Sequence, residues 1–208
     1  MEKGAATKRP SAVLFDVGNV IVRWDPRTLY SKIFPDPKEL DFFLSEVCTS
    51  EWHVQVDVGR TFAENIAELK PKFPQYAAAI EAWWSRWPEM FSGNIAQTEE
   101  AIEALYAMGV PLYALTNMSN EAWPVVQAMS PVFERFRDTI VSGFEKIKKP
   151  DRRIFDLVCE RSGLQPADFL FVDDHEPNID AAKRLGFHVH FFDDPNALEP
   201  ALKSYGLL

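Results

Sequence analysis

Cysteine is almost missing from this chain of 208 residues, which holds two, Cys48 and Cys159. They show no CxxC spacing, and two thiols make no disulfide framework. Both read as reduced thiols, and neither as a nucleophile. Histidine is scarce too: His53, His175, His188 and His190 fit no metal spacing and read as non-catalytic. Nothing approaches the roughly 20 apolar residues of a membrane-spanning helix. The first ten residues, Met1 to Pro10, are polar and lack an apolar signal region. A cytoplasmic protein is expected, with no membrane partner. Positive charge is in deficit, with 22 Lys and Arg against 31 Asp and Glu and a net charge of −9. That argues against a nucleic-acid partner, because affinity for phosphate backbones comes from clustered Lys and Arg. A small anionic substrate stays open, since a metal ion and one or two cations reverse the local potential inside an acidic protein. There is no internal repeat and no low-complexity segment.

What is present suits one domain, or one domain carrying a small insert, and 47% hydrophobic residues supply a real core. Ala12 to Asp16 (AVLFD) is a short apolar run ending in an acid, with Gly18 close behind. Its length and valine content favour a buried strand. Pro111 to Thr116 (PLYALT) and Phe169 to Asp174 (FLFVDD) repeat the form, and Thr139 to Ser142 and His188 to Phe192 are further strand candidates. Runs this apolar suit strands covered on both faces. Helical spacing falls between them, at Glu99 to Met108 with Thr98 as the expected N-cap, at Asp151 to Arg161, and at Asn178 to Leu185 with Gly186 as the stop. Strands alternating with helices predict an α/β fold with a doubly wound parallel sheet.

One stretch breaks the alternation. From about Pro26 to Phe91 there is no convincing buried strand, and Leu40 to Val47, Phe62 to Leu69 and Tyr76 to Trp87 read as helices. The division this predicts is a core of residues 11–25 and 92–208, with residues 26–91 as a small helical insert after the first strand. The insert's Trp52, Trp83, Trp84 and Trp87 read first as helix packing, and second as a wall over a substrate.

In an open parallel sheet, ligands bind beyond the carboxyl ends of the strands. Three predicted strand ends carry polar groups there: Asp16, Thr116 with Asn117, and Asp173 with Asp174. Lys149 lies in a loop just before a predicted helix. Carboxylates that converge repel one another unless a cation or proton intervenes. Hard oxygen ligands near a phosphate point to Mg²⁺, which takes one or two protein carboxylates plus substrate oxygens and water. A single strand-end Asp is as often a turn or a cap. Three such ends together with a lysine point to a site.

These residues resemble the four ordered motifs of the haloacid dehalogenase (HAD) superfamily. Phe15-Asp16-Val17-Gly18-Asn19-Val20 resembles the first and Leu115-Thr116-Asn117 the second. Lys148-Lys149-Pro150 resembles the third, and Phe171-Val172-Asp173-Asp174 followed by Asn178 the fourth. The insert falls where that superfamily carries its cap. The resemblance covers nearly the whole chain after Pro10 and implies a Rossmann-like core and a Mg²⁺-dependent phosphohydrolase acting on a small phosphorylated metabolite. It implies that Asp16 attacks phosphorus and becomes an aspartyl phosphate. The Gly18 carbonyl, Asp16 and Asp174 would hold Mg²⁺, with Asp173 either a direct ligand or a helper. Thr116 and the Asn117 backbone would grip the phosphoryl oxygens, and Lys149 would neutralise their charge, so that catalysis is positioning plus electrostatics.

The pattern departs at Gly18. Most HAD phosphatases have a second Asp there, which protonates the leaving group and activates water, and losing such a group typically costs about 10²–10⁴-fold in rate. A subgroup with Asp-x-Gly-Asn-Val includes bacterial sugar-phosphate phosphatases, so a sugar phosphate is one expected substrate. An Asp nine residues past the nucleophile also occurs in that subgroup. Asp25 matches it, although beside Pro26 an N-cap is the commoner use. Asp57-Val58-Gly59-Arg60 reads as a tight turn that either presents Arg60 to a substrate oxyanion or lies in solvent. Two rivals remain: a 2-haloacid dehalogenase using the same nucleophile without metal, and a non-catalytic HAD-fold binding protein, which Gly18 alone supports. Paired acids at Asp173-Asp174 beside an anionic haloacid disfavour the former.

Overall fold

The computed structural model describes residues 9–208; Met1 to Lys8, part of the stretch read as polar, lie outside the described residues. The strands are β1 Ala12–Phe15, β2 Val22–Trp24, β3 Phe91–Asn94, β4 Leu112–Thr116, β5 Asp138–Val141, β6 Phe169–Asp173 and β7 His188–Phe191. Five of them make one parallel sheet in the order β5-β4-β1-β6-β7. β1 lies at the centre because it has no polar side chain to expose: all four of its residues are fully buried.

The two faces of the sheet separate by strand alternation. Val13, Phe15, Leu112, Ala114, Leu170 and Val172 face one hydrophobic cluster. Ala12, Leu14, Tyr113, Leu115, Phe169 and Phe171 face the other. Helices Ala96–Ala107 and Leu198–Tyr205 cover the first face through Ala101, Ile102, Leu105, Leu198 and Leu202. Helices Arg152–Ser162 and Glu176–Arg184 cover the second through Ile154, Phe155, Val158, Ile179 and Ala182. This is the doubly wound arrangement that near-continuous apolar strands require.

The expected helix near Glu99 starts earlier than its spacing suggested. It begins at Ala96 behind Ile95, and Thr98 lies fully buried inside its first turn instead of capping it. Helix Arg152–Ser162 is capped by Asp151, whose side chain accepts from the Arg153 amide at 2.9 Å.

The alternation breaks between β2 and β3. Only helical segments lie there among the described residues, including Pro37–Phe42, Phe62–Leu69 and Ala77–Ser85. Thr61 starts the second with a reciprocal capping box to Glu64. β2 and β3 pair antiparallel and were not expected from the sequence. Each is three or four residues long, and neither is an apolar run. Their pairing returns the chain to the core at the place where it left. The insert is not an independent body: Tyr30, Phe43, Phe62, Ile80, Trp83 and Trp87 belong to the same hydrophobic cluster as the first sheet face.

Candidate active site

Asp16, Thr116 and Asp173 stand at the carboxyl ends of adjacent strands, and Lys149 reaches between them from the loop before helix Arg152–Ser162. The Lys149 ammonium lies 2.9 Å from Asp16 Oδ2, and it donates to Asp173 Oδ2 at 2.7 Å and to the Leu115 carbonyl at 2.8 Å. It is 1% exposed, so all three donor directions of the ammonium are used inside the protein. Its backbone is held as tightly. The Lys149 amide donates to Asn117 Oδ1 at 2.8 Å, and Asn117 Nδ2 returns a bond to the Lys149 carbonyl at 3.0 Å.

Asp173 is completely buried. Its Oδ1 accepts from the His175 amide at 2.8 Å, and Asn178 Nδ2 donates to its two oxygens at 3.0 and 3.1 Å. Both oxygens are thus occupied by protein donors. One oxygen of Asp16 accepts from the Val17 amide at 2.6 Å.

The charges do not balance. Asp16, Asp173 and Asp174 bring carboxylate oxygens within 4.8 Å of one another, against one buried ammonium. Burial pushes the Asp16 carboxyl well above the ordinary carboxylate range; the Lys149 ammonium pulls the other way, and Asp173 and Asp174 add to the rise. Asp174 is raised by burial and by Asp173. Burial opposes the charge on Lys149, but the Asp16 and Asp173 carboxylates outweigh it and hold its pKa above the usual lysine value. A hard divalent cation is the natural complement to such a set. Asp16, Asp174 and the backbone of Gly18 fit it, because Asp173 already has its partners.

Above this floor is a cavity of about 370 Å³, within the size range of small-molecule sites. Gly18, Asn117, Met118, Ser119, His175 and Asn178 join the floor residues around it. Gly18 keeps a negative φ, and a Cβ there would meet nothing within 4 Å, so space and backbone both admit a side chain at this position.

The opposite wall comes from the insert and its flanking strands, through Trp24, His53, Asp57, Phe62, Trp87 and Phe91. Trp52, Trp83 and Trp84 pack within the insert, and Trp87 both packs and lines the cavity. His53, read as non-catalytic, packs against Trp24 and Trp87 at centroid distances of 5.4 and 5.5 Å, and the two indoles are themselves 5.4 Å apart. Its Nδ1 accepts from Trp83 Nε1 at 3.2 Å, which leaves the proton of the neutral ring on Nε2, 3.8 Å from Asp57 Oδ1. Burial lowers the His53 pKa to about 4 and raises that of Asp57 to about 7, the latter against the pull of Lys148. The i,i+4 spacing of His53 and Asp57 was visible in the sequence. Their meeting at this wall was not, because a break between helix Ser50–His53 and the turn Val56–Val58 sets the angle.

Two candidates lie elsewhere. Arg60 does not line the cavity, and its guanidinium pairs with Glu68 at 2.5 Å. Asp25 does not line the cavity either; its carboxylate accepts from the Arg27 amide at 2.8 Å, just ahead of the short helix Arg27–Tyr30, whose N-cap is Pro26.

Comparison with known proteins bears on this geometry. Residues 10–186 match the haloacid dehalogenase-like hydrolase family. The chain is 28% identical over 211 aligned positions to Acyl-CoA dehydrogenase family member 10 of Mus musculus, covering 93% of this chain and spanning only 19% of that protein. It is 23% identical over 176 residues to the sesquiterpene phosphatase astK of Aspergillus oryzae, covering 84% of this chain and 86% of that one. It is 30% identical over 101 residues to an (S)-2-haloacid dehalogenase of Pseudomonas putida, covering 49% and 44%. A HAD family enzyme of Bacteroides thetaiotaomicron, solved with magnesium and inorganic phosphate, superposes with a TM-score of 0.66 at 22% identity, over 91% of this chain and 98% of that one. At that identity the likeness is one of fold. No helix among the described residues is long and apolar enough to cross a membrane.

Proposed function

The chain belongs to the haloacid dehalogenase-like hydrolase family, and from that premise we propose that it is a Mg²⁺-dependent phosphomonoester hydrolase working through an aspartyl phosphate on Asp16. One observation carries the reading: three carboxylates gather beside a single buried lysine, which pairs with two of them, at the floor of a small-molecule cavity. This floor repels an anionic haloacid, but it suits a phosphate once a divalent cation balances it. The phosphatase among the relatives and the magnesium–phosphate complex of the structural neighbour support the same choice.

In this proposal Asp16 attacks phosphorus, with one of its oxygens oriented by the Val17 amide. Thr116 and the Asn117 backbone hold the non-bridging oxygens. Lys149, fixed by Asn117 and by Asp173, offsets the charge that gathers on Asp16 and the phosphoryl group. Asp16, Asp174 and the Gly18 carbonyl would hold Mg²⁺, which when bound neutralises phosphoryl charge. Asp173 then acts by aiming Lys149. Arg60 takes no part. Residues 26–91 serve as the cap over a core of 11–25 and 92–208. The cap wall decides what the phosphate is attached to. Trp24, Phe62, Trp87 and Phe91 offer rings and few hydroxyl partners, which suits an aryl, alkyl or isoprenoid monophosphate better than a sugar phosphate.

Steady-state hydrolysis of p-nitrophenyl phosphate, with Mg²⁺ and after exhaustive chelation, tests the reading. Turnover should need the metal and return when it is restored. Undiminished turnover after chelation overturns the metal assignment. Turnover of 2-chloropropionate with none of the phosphate ester overturns the phosphatase.

A further inference from the structure

With Gly18 two residues after the nucleophile, no acid stands at that position; among the described residues the floor carboxyls are assigned to attack, to the metal or to Lys149, and the His175 imidazole also lines the cavity. The Lys149 ammonium is spent on three acceptors and Asp173 on four donor contacts. Asp25 does not line the cavity, and its carboxylate accepts from the Arg27 amide. One further carboxyl group lines the same cavity as Asp16, Gly18 and Thr116, and it belongs to the insert: Asp57.

Its backbone is docked on the floor. Gly59, two residues on, has φ +94°, and a Cβ there would lie 3.0 Å from the Gly143 carbonyl and 3.2 Å from Lys146 Cγ. Gly143 in turn lies so close to the loop after β4 that a Cβ on it would sit 2.4 Å from the Asn120 amide nitrogen. The Gly143 amide donates to the Met118 carbonyl at 3.0 Å. Two glycines at close approach therefore tie the Asp57 turn to the loop that follows Thr116 and carries Asn117. Such contacts hold a group in register across a cap–core boundary better than long side chains do. The residue is 8% exposed, with the His53 ring beside its carboxylate.

We propose that Asp57 is the general acid of this enzyme, supplied by the cap in place of the residue missing at Gly18. This rests on the phosphatase reading above. As the bond from Asp16 to phosphorus forms, the bond from phosphorus to the leaving oxygen breaks. The electron pair stays on that oxygen, which takes the proton of Asp57. The Asp57 carboxylate then takes a proton from the water that attacks the aspartyl phosphate. The bond to Asp16 breaks with its electron pair returning to the carboxylate, and inorganic phosphate leaves with Asp57 protonated again. Burial places Asp57 at about 7, where a group both donates and accepts near neutrality.

The test is kcat/KM, with Mg²⁺, for a series of phosphate monoesters whose leaving groups run from 2,4-dinitrophenol through phenol to a primary alcohol. This parameter reports the step in which the leaving group departs. Asp57→Asn should lower it about 10²–10⁴-fold for the phenyl and alkyl esters and only a few-fold for the dinitrophenyl ester, which departs unaided. Asp57→Ser, read in the same way, serves if the amide variant does not fold. An equal loss across the series makes the residue structural and overturns the proposal, as does no loss at all. Wild type that turns over none of the esters overturns the phosphatase reading itself, and this inference with it.

Discussion

The floor of the cavity is a set of charges that hold one another in place, whereas the roof is a set of rings. In the floor, Lys149, Asp16 and Asp173 are buried and linked at 2.7 to 2.9 Å, and each has its geometry set by a backbone group or an amide of a neighbouring loop. In the roof, Trp24, His53 and Trp87 stack, Phe62 lies against Trp84 at 4.4 Å, and Trp83 is bonded to His53. Removing one member of a buried ionic set strands the others, whereas removing one ring from a stack leaves a hole that its neighbours partly fill. The floor therefore has little tolerance for substitution, and the rings of the roof, Asp57 beside them excepted, are where specificity can change without loss of the chemistry.

The largest effect that sharpens this contrast is expected at the nucleophile. Asp16→Asn should abolish hydrolysis of p-nitrophenyl phosphate while the circular dichroism spectrum stays native, because an amide cannot attack phosphorus. Beryllofluoride with Mg²⁺ should raise the Tm of the wild type and leave that of the variant unchanged. Equal shifts in both proteins would remove Asp16 from the role of phosphoryl acceptor.

Lys149→Met comes next and probes the floor as a structure. It leaves Asp16 and Asp173 without their ammonium, a loss of about 3–5 kcal/mol in urea unfolding without metal. Mg²⁺ should recover part of it. A loss below about 1 kcal/mol, the level of a surface pair, would mean that the buried set holds together without its lysine.

The smallest expected effect lies in the roof. Phe91 is half-buried, set edge-on to Trp87 at 6.0 Å, and lines the cavity. Phe91→Ala should raise KM for phenyl or long-chain alkyl phosphates about tenfold, the equivalent of about 1.4 kcal/mol of lost contact. The kcat should change less, and a short polar ester should be nearly unaffected. A drop in kcat for every substrate alike would erase the distinction between roof and floor.

The difference between floor and roof also separates what could be read along the chain from what could not. Apolar runs ending in polar residues pointed to buried parallel strands, and the sheet has β1, β4 and β6 where those runs lie. Because side chains at the ends of adjacent parallel strands must share one edge, the meeting of Asp16, Thr116 and Asp173 followed from the same pattern. Glycine and the alternation of buried residues are local signals, and a local signal survives in one dimension. The position of Arg60 did not, since a turn presents a side chain to whichever partner is near, and here that partner is Glu68. Thr98 looked like a cap because its type fits one, but the chain had already entered the helix at Ala96. β2 and β3 escaped notice because each is short and is stabilised by the other across the whole insert. His53 read as non-catalytic and Asp57 as the start of a tight turn, and only packing brings both to the cavity. Residue type and order are enough to specify the sheet and the edge where its acids gather. The enclosure of that edge, the burial that moves Asp57 to about 7, and the aromatic wall facing it arise only from contacts between segments far apart in the chain, since burial is a property of the folded neighbourhood and not of the residue.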